Sequence, residues 1–266
     1  MLLDLFDRYM MVGGYPEAVI AYQNGKPYYE IIDEIMAGLE EDFRRREQQQ
    51  PEFFRHVVQA VANFIGSPSK LTHFDTTKYQ AKKIIEAMKG WHIVLEVEQC
   101  SIDPQRSNFL PKRYLHDIGV VNRKRSVAVP PVSLLETIDP VLRIPLGGLF
   151  ENAVLLNLVE GESARYAVGT WKKGNNTDIE VDFVMDVPGT GAKIPIECKA
   201  ALTLKSKHYT NLMHYLKLTG QGFGVVVSAA PLEKVSMGDG IHIMNIPVYL
   251  AGKDNIKTYF KNNAGF

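Results

Sequence analysis

Two alternating runs around one turn constrain this chain more than any other feature. Glu180-Val181-Asp182-Phe183-Val184-Met185 and Ile194-Pro195-Ile196-Glu197-Cys198-Lys199 flank Asp186-Val187-Pro188-Gly189-Thr190-Gly191-Ala192-Lys193. Period-two alternation on both sides of turn-forming residues specifies an antiparallel hairpin. Val181, Phe183 and Met185 share one face of the first strand, and Glu180 and Asp182 the other. In the second strand Ile194, Ile196 and Cys198 oppose Glu197 and Lys199. A turn centred on Gly189-Thr190 sets Asp182 directly across from Glu197. Two carboxylates facing each other across a ladder repel. A divalent cation between them reverses that sign, because hard cations take carboxylate oxygens. Lys199, on the same face as Glu197, then stands beside the metal. An Asp, a Glu-x-Lys and a metal make up the equipment for phosphodiester hydrolysis. The competing reading is a mixed-charge surface hairpin in which Glu180 pairs with Lys199.

A third carboxylate lies upstream. Gly147-Gly148-Leu149-Phe150-Glu151-Asn152 reads as a glycine break followed by a helix from Leu149, with Phe150, Val154 and Leu158 at helical spacing. Glu151 then falls on the first turn, where a negative charge is favourable on its own account.

Helix-borne Glu151, then Asp182, then Glu197-Cys198-Lys199 after fourteen intervening residues resembles the PD-(D/E)XK, or restriction-endonuclease-like, nuclease superfamily. The wider chain carries Gly13-Gly14-Tyr15-Pro16-Glu17, then Lys112-Arg113-Tyr114-Leu115-His116-Asp117-Ile118-Gly119, then Gly148-Leu149-Phe150-Glu151-Asn152 and Glu180-Val181-Asp182-Phe183-Val184. That order is similar to the C-terminal region, a domain of unknown function, of bacterial and archaeal AAA-type ATPases. The resemblance implies an ATPase module, a winged-helix domain and a nuclease-like domain. It also implies a metal ligand from the backbone carbonyl of Cys198. The sequence departs from that layout in lacking a Gly-x-x-x-x-Gly-Lys-Ser/Thr phosphate loop, so no ATP site is expected here.

Composition excludes several classes. With 30 basic and 30 acidic residues the net charge is zero, so any nucleic-acid surface must be local. The two cysteines, Cys100 and Cys198, form no Cys-x-x-Cys pair, which argues against a disulfide framework and for a reducing, cytoplasmic setting. The N-terminus has no basic region followed by an apolar run, and no stretch reaches 18 uninterrupted apolar residues, so neither a signal peptide nor a membrane span is expected. His-x-His, His-Glu-x-x-His and Gly-x-Ser-x-Gly patterns are absent, which removes support for zinc hydrolysis and serine-nucleophile chemistry.

The expected fold class is mixed α/β (α+β) in three regions. Residues 1–48 read as a helical segment, with Ile31, Ile32, Ile35, Met36 and Leu39 turned inward on its third helix. Residues 49–130 read as a winged-helix domain. A helix capped by Asp75 or Thr76 runs to Lys89 with Tyr79, Ile84, Ile85 and Met88 as apolar positions, and strands follow near Trp91–Glu98 and Arg113–His116. Asp103–Asn108 forms the wing tip. Residues 131–266 read as the nuclease-like mixed-sheet domain, with strands near Arg165–Val168, Phe223–Ser228 and Ile241–Asn245, and a helix from about Lys205 to Leu218. The continuous Val225-Val226-Val227 indicates a strand covered on both faces. Lys78, Lys82, Lys83 and Lys89 give the last helix of the winged helix a basic face, and Lys112 and Arg113 are expected beside it as DNA contacts. The bland reading of that face is a solvated surface. Asn211 and Tyr215 share a helix face where the resembled superfamily places a DNA-touching Gln-x-x-x-Tyr, but a packing role suits Tyr215 better. Cys198 faces the apolar side, as buried cysteines do.

The expected chemistry is Mg²⁺- or Mn²⁺-dependent cleavage of DNA. Asp182 and Glu197 hold the metal, Glu151 completes the acidic cluster directly or through water, and Lys199 orients water or offsets developing charge. The alternative is a non-catalytic DNA- or protein-binding module that serves an ATPase partner.

Overall fold

Proline and glycine punctuate the first residues into α1 (Leu2–Val12), α2 (Pro16–Gln23) and α3 (Tyr28–Glu47). Pro16 opens α2 at a position where its missing N–H costs nothing. The computed structural model describes residues 1–100, 110–126, 128–159, 168–174, 177–187 and 189–263. There follow α4 (Pro51–Asn63), α5 (Lys78–Gly90), β1 (Val94–Val97), β2 (Gln99–Cys100), β3 (Lys112–Leu115) and α6 (Ile118–Arg125). The remaining elements are α7 (Pro140–Arg143), α8 (Leu146–Leu158), β4 (Val168–Lys172), β5 (Glu180–Asp186), β6 (Lys193–Lys199), α9 (Thr210–Thr219), β7 (Phe223–Ser228), β8 (Glu233–Ser236), β9 (His242–Pro247) and α10 (Lys253–Asn263). The fold class is mixed α+β. Two units form: a helical unit of Asp4–Glu96 and Leu110–Val129, and a sheet unit of Met1–Leu3, Val97–Phe109 and Pro130–Phe266.

In the helical unit α4 is the hub, packing on α3, α5, α6 and β3 through Phe54, Val57, Val58 and Val61. The inward stripe of α3 is narrower than its composition implies. Ile32, Met36 and Phe43 are buried, whereas Ile31, Ile35 and Leu39 stay partly exposed. The Phe43 ring packs tilted against Phe54 at 5.4 Å and edge-on to Trp91 at 5.8 Å, which fixes the far end of that helix. The cap of α5 is Thr77, whose side chain accepts from Gln80 N–H, rather than Asp75 or Thr76. Tyr79 is 79% exposed, contrary to the expected apolar role, because Ala81, Ile84, Ile85 and Met88 already fill the inward face. A short 3-10 turn, Leu71–Phe74, precedes α5, and β1 and β3 form a two-stranded sheet after it. The expected wing tip, Asp103–Asn108, lies outside the described residues.

The two glycine motifs of this unit meet. Gly14 N–H donates to Asp117 Oδ2 at 2.6 Å, and Val120 N–H donates to Asp117 Oδ1 at 3.0 Å, so one carboxylate caps α6 and holds the α1–α2 corner. Tyr15 Oη bonds His116 Nε2, and His116 Nδ1 meets the Ile93 carbonyl at 3.1 Å. A Cβ on Gly119 would stand 2.2 Å from the Val12 carbonyl oxygen, and one on Gly13 (φ +88°) would stand 2.5 Å from Asp117 Oδ1. Only glycine allows this approach.

The sheet unit carries one sheet in the order β2-β4-β5-β6-β7-β9-β8. Its β4-β5-β6 side is antiparallel, while β6, β7 and β9 run parallel. The parallel step from β6 to β7 needs a crossover, and α9 supplies it, packing on β5, β6 and β7. β7 is buried along its whole length, as its unbroken valines require. Edge strands β2 and β8 and helix α10 were not legible in the sequence. Residues 165–167 of an expected strand and Pro188 of the hairpin turn lie outside the described residues. Pro140–Leu158 has the length and mean hydropathy (1.3) of a membrane span, but half of it is buried. Nine side chains of α8 are inside the unit, so it is a core helix.

Candidate active site

The hairpin pairs as its turn dictates. Phe183 faces Ile196, Val184 faces Pro195, Met185 faces Ile194 and Asp186 faces Lys193. Carried one step further, that register sets Asp182 opposite Glu197. Beyond Phe183 and Ile196 the strands are no longer paired, and Cys198 N–H donates to Asp182 Oδ2 at 2.7 Å. The Asp182 carboxylate thus takes over at the end of the ladder and is held by the neighbouring strand's backbone. The face carrying these acids is buried, not the solvated surface a mixed-charge hairpin implies: Asp182 is 8% exposed and Glu197 2%.

Glu197 is the least comfortable group in the site. Lys199 Nζ donates to its Oε1 at 2.6 Å, but Oε2 is buried with no hydrogen-bond partner among the described residues. Burial, followed by the charge of Asp182, pushes the Glu197 carboxyl up to about 8; the attraction of Lys199 offsets this only in part, and Glu151 adds to the rise. Against the opposing effect of its own burial, Asp182 and Glu197 hold Lys199 above the usual lysine range. Lys199 bonds Glu197 rather than serving Glu180, which faces Lys172 on β4.

Glu151 comes from α8, which packs on β6. The helix begins at Leu146, three residues before the expected start, so Glu151 sits in its second turn. The helix-terminus rationale therefore gives way to burial: Glu151 is 8% exposed, and its charge reaches Glu197. Gly147 and Gly148 are helical here, which the glycine break concealed. Among the described residues no three His, Cys, Asp or Glu side chains converge as a metal-holding group. A cation would therefore find two side-chain carboxylates, Asp182 and Glu197, with the Cys198 carbonyl and water completing its shell. Glu151 would then act on the cluster through its field, as it does on Glu197. The orphaned Glu197 oxygen beside a second carboxylate suits such an ion, and Mg²⁺ ordinarily keeps several waters. The Cys198 thiol is held well above its usual range by burial and by the nearby carboxylates, which removes it as a nucleophile.

Of the expected DNA contacts, Lys78, Lys82 and Lys83 are exposed on α5 and form no ion pair among the described residues. Lys89 is bound to Glu86 and Glu96. Lys112 and Arg113 are corrected: they are 0% and 5% exposed and belong to the interior. Arg113 bonds Glu96 at 2.7 Å and donates to the carbonyl and Oγ of Ser69 at 2.9 Å, with its guanidinium over the Phe74 ring. It ties β3 to the turn before α5, a structural task that Glu96 on the partner strand could have signalled. Tyr215 packs in the core against Trp171, as its packing reading required. His208, considered from the sequence only as a metal ligand and found without a partner for that role, lies within electrostatic reach of Lys199 on the 3-10 turn Ser206–Tyr209.

Residues 146–249 match the sequence model of a family described as a domain of unknown function (DUF4143). That family commonly lies C-terminal to AAA ATPases. Residues 3–128 match a second domain of unknown function (DUF8612). Both Glu151 and the Asp182–Lys199 hairpin fall inside the first match, and the Gly13–Glu17 and Lys112–Gly119 motifs inside the second. No curated protein and no solved structure is similar enough to this chain to be matched.

Proposed function

We propose that the sheet unit is a metal-dependent, restriction-endonuclease-like phosphodiesterase acting on DNA, and that the helical unit contains a winged helix whose α5 contacts the DNA backbone. The observation that carries the reading is the buried, unpartnered Oε2 of Glu197 opposite Asp182. Two acids are held together at a cost, and a divalent cation is the ligand that turns that cost into binding. Mg²⁺ or Mn²⁺ held by Asp182, Glu197 and the Cys198 carbonyl would supply an activated water and a polarised phosphoryl oxygen.

The chain's own residues do the rest. Cys198 N–H fixes the Asp182 carboxylate at 2.7 Å, so its orientation does not depend on side-chain entropy. Glu197 holds the Lys199 ammonium at the mouth of the cluster, where it meets the charge that develops on the phosphorane. Glu151 keeps the local field negative and raises the affinity for a cation. The exposed lysines of α5 supply sequence-independent attraction to phosphates. The Gly-x-x-x-x-Gly-Lys-Ser/Thr pattern does not occur in this sequence, and an ATPase module or another protein is the proposed partner for delivering DNA.

A non-catalytic DNA- or protein-binding module is favoured instead by one feature, the 2.6 Å pair of Lys199 with Glu197, which serves equally well as a plain structural ion pair. Incubation of the protein with single- and double-stranded DNA in Mg²⁺ or Mn²⁺, with and without EDTA, separates the two. Metal-dependent nicking that Asp182→Asn abolishes supports the phosphodiesterase. No cleavage, together with no metal-dependent shift in Tm, leaves the scaffold reading.

A further inference from the structure

Several cations of the helical unit are spent on nearby acids: Arg44 on Glu41, Arg45 on Asp42, Arg55 on Glu40, and Arg123 on Asp33. The segment after β6, like the exposed face of α5, keeps its lysines clear of such pairs. Lys205 and Lys207 are exposed and form no ion pair among the described residues. Glu136, bonded to Thr203, and Glu233, beside Tyr209, engage neither of them. His208 completes the group and is held in place by reciprocal bonds with Lys205. Its backbone N–H donates to the Lys205 carbonyl at 2.8 Å, and its Nδ1 accepts the Lys205 N–H at 3.1 Å. A neutral imidazole that accepts at Nδ1 carries its proton on Nε2, leaving that N–H as a fixed donor. Partial burial, then the charges of Lys199, Lys207 and Lys205, hold His208 below the usual histidine range, so the neutral donor form dominates at pH 7.

We propose that Lys205, Lys207 and His208 form the phosphate-binding rim of the acidic site, taking a phosphodiester of a nucleic-acid strand beside Lys199. The assignment rests on the hydrolytic reading above. The chemistry is complementary: the acids at the centre repel a phosphate, and a cationic margin with a preset N–H donor is what brings one to them. The arrangement is local in sequence, since β6 ends at Lys199 and the 3-10 turn starts at Ser206. It is also braced, because Ala229 N–H bonds the Ala201 carbonyl at 3.0 Å and so anchors the connecting segment to the end of β7.

The test uses the full chain in EDTA, so that binding is read without cleavage. A thymidine dinucleotide is titrated into protein with ¹⁵N-labelled histidine rings while the His208 resonances are followed. They are expected to move saturably, with inorganic phosphate producing a weaker change at the same nuclei. The Lys205→Ala/Lys207→Ala and His208→Ala variants should each weaken dinucleotide binding roughly tenfold, the scale of a lost hydrogen bond to a charged group. Unmoved His208 resonances in the wild type overturn the proposal, as does undiminished affinity in folded variants. Binding of inorganic phosphate with none of the dinucleotide also overturns it. Cleavage in Mg²⁺ is scored separately. A rim that binds without cleavage sinks the phosphodiesterase reading alone, and cleavage without rim binding sinks this proposal alone.

Discussion

The Asp182 carboxylate accepts the backbone N–H of Cys198 at 2.7 Å, so the acid of one strand is positioned by the main chain next to the acid of the other. The constraint explains how an electrostatically unfavourable pair is kept in register. It also means that Asp182 can change its charge without losing its anchor, because an amide oxygen accepts the same N–H.

Asp182→Asn is accordingly expected to lower metal-dependent cleavage by about 100-fold or more, on the scale of removing a key electrostatic group. Stability should be unchanged or better without metal, by about 1 kcal/mol or less. Thermal melts and a nicking assay on the same preparation check both halves, and a large drop in Tm would show the carboxylate to be structural.

Glu197 sets a pH dependence whose sign follows from burial. Its folded value, about 8, lies above the ordinary 4.5. Its contribution to stability is therefore complete below about 4.5, declines as the unfolded chain ionises, and is lost as pH rises through about 8. Metal-free melts from pH 5 to 9 should show that decline, and Glu197→Gln should flatten it. Mg²⁺ or Mn²⁺ should stabilise more strongly toward pH 8, because binding needs the ionised carboxylate. A wild-type slope identical to that of Glu197→Gln contradicts the assignment.

The basic face of α5 should report itself through salt. Replacing Lys78, Lys82 and Lys83 with Ala removes up to three phosphate contacts, each worth about 0.9 in the slope of log K against log salt on duplex DNA. Fluorescence anisotropy across a salt series measures it. An unaltered slope would turn this helix into a protein-docking surface.

Arg113→Ala should behave in the opposite way. Losing the more buried of the two cations paired with Glu96, together with its bonds to Ser69, is expected to cost about 3 kcal/mol, the low end of the range for a broken buried pair. Chemical denaturation reads this loss, while the salt slope of whatever DNA binding survives should match the wild type.

The hairpin was legible because alternation and turn symmetry are both local. The pairing of Met185 with Ile194 follows from counting outward from Gly189-Thr190. Glu151 was legible as a participant but not in its position, since two glycines look like a helix stop until a core is there to override their propensity. Tyr79 and Lys112 failed for a common reason. Residue type sets a default of apolar inside and charged outside; at Tyr79 the inward face of its own helix was already filled, and at Lys112 the bridge to Pro68, distant in sequence, took the strand inside. The setting of His208 beside Lys199 was not legible, because the two are nine positions apart across a turn that carries no periodic signal.

The clasp of Asp117 on Gly14 and Val120 joins positions about a hundred residues apart within the helical unit. Its consequence concerns cooperativity. The α1–α2 corner cannot fray without uncapping α6, so amides at both places should exchange with solvent together, through one opening event. A nick in the chain between them would leave two pieces still fastened at this point, and proteolysis of the helical unit should release no free N-terminal fragment until the whole unit opens.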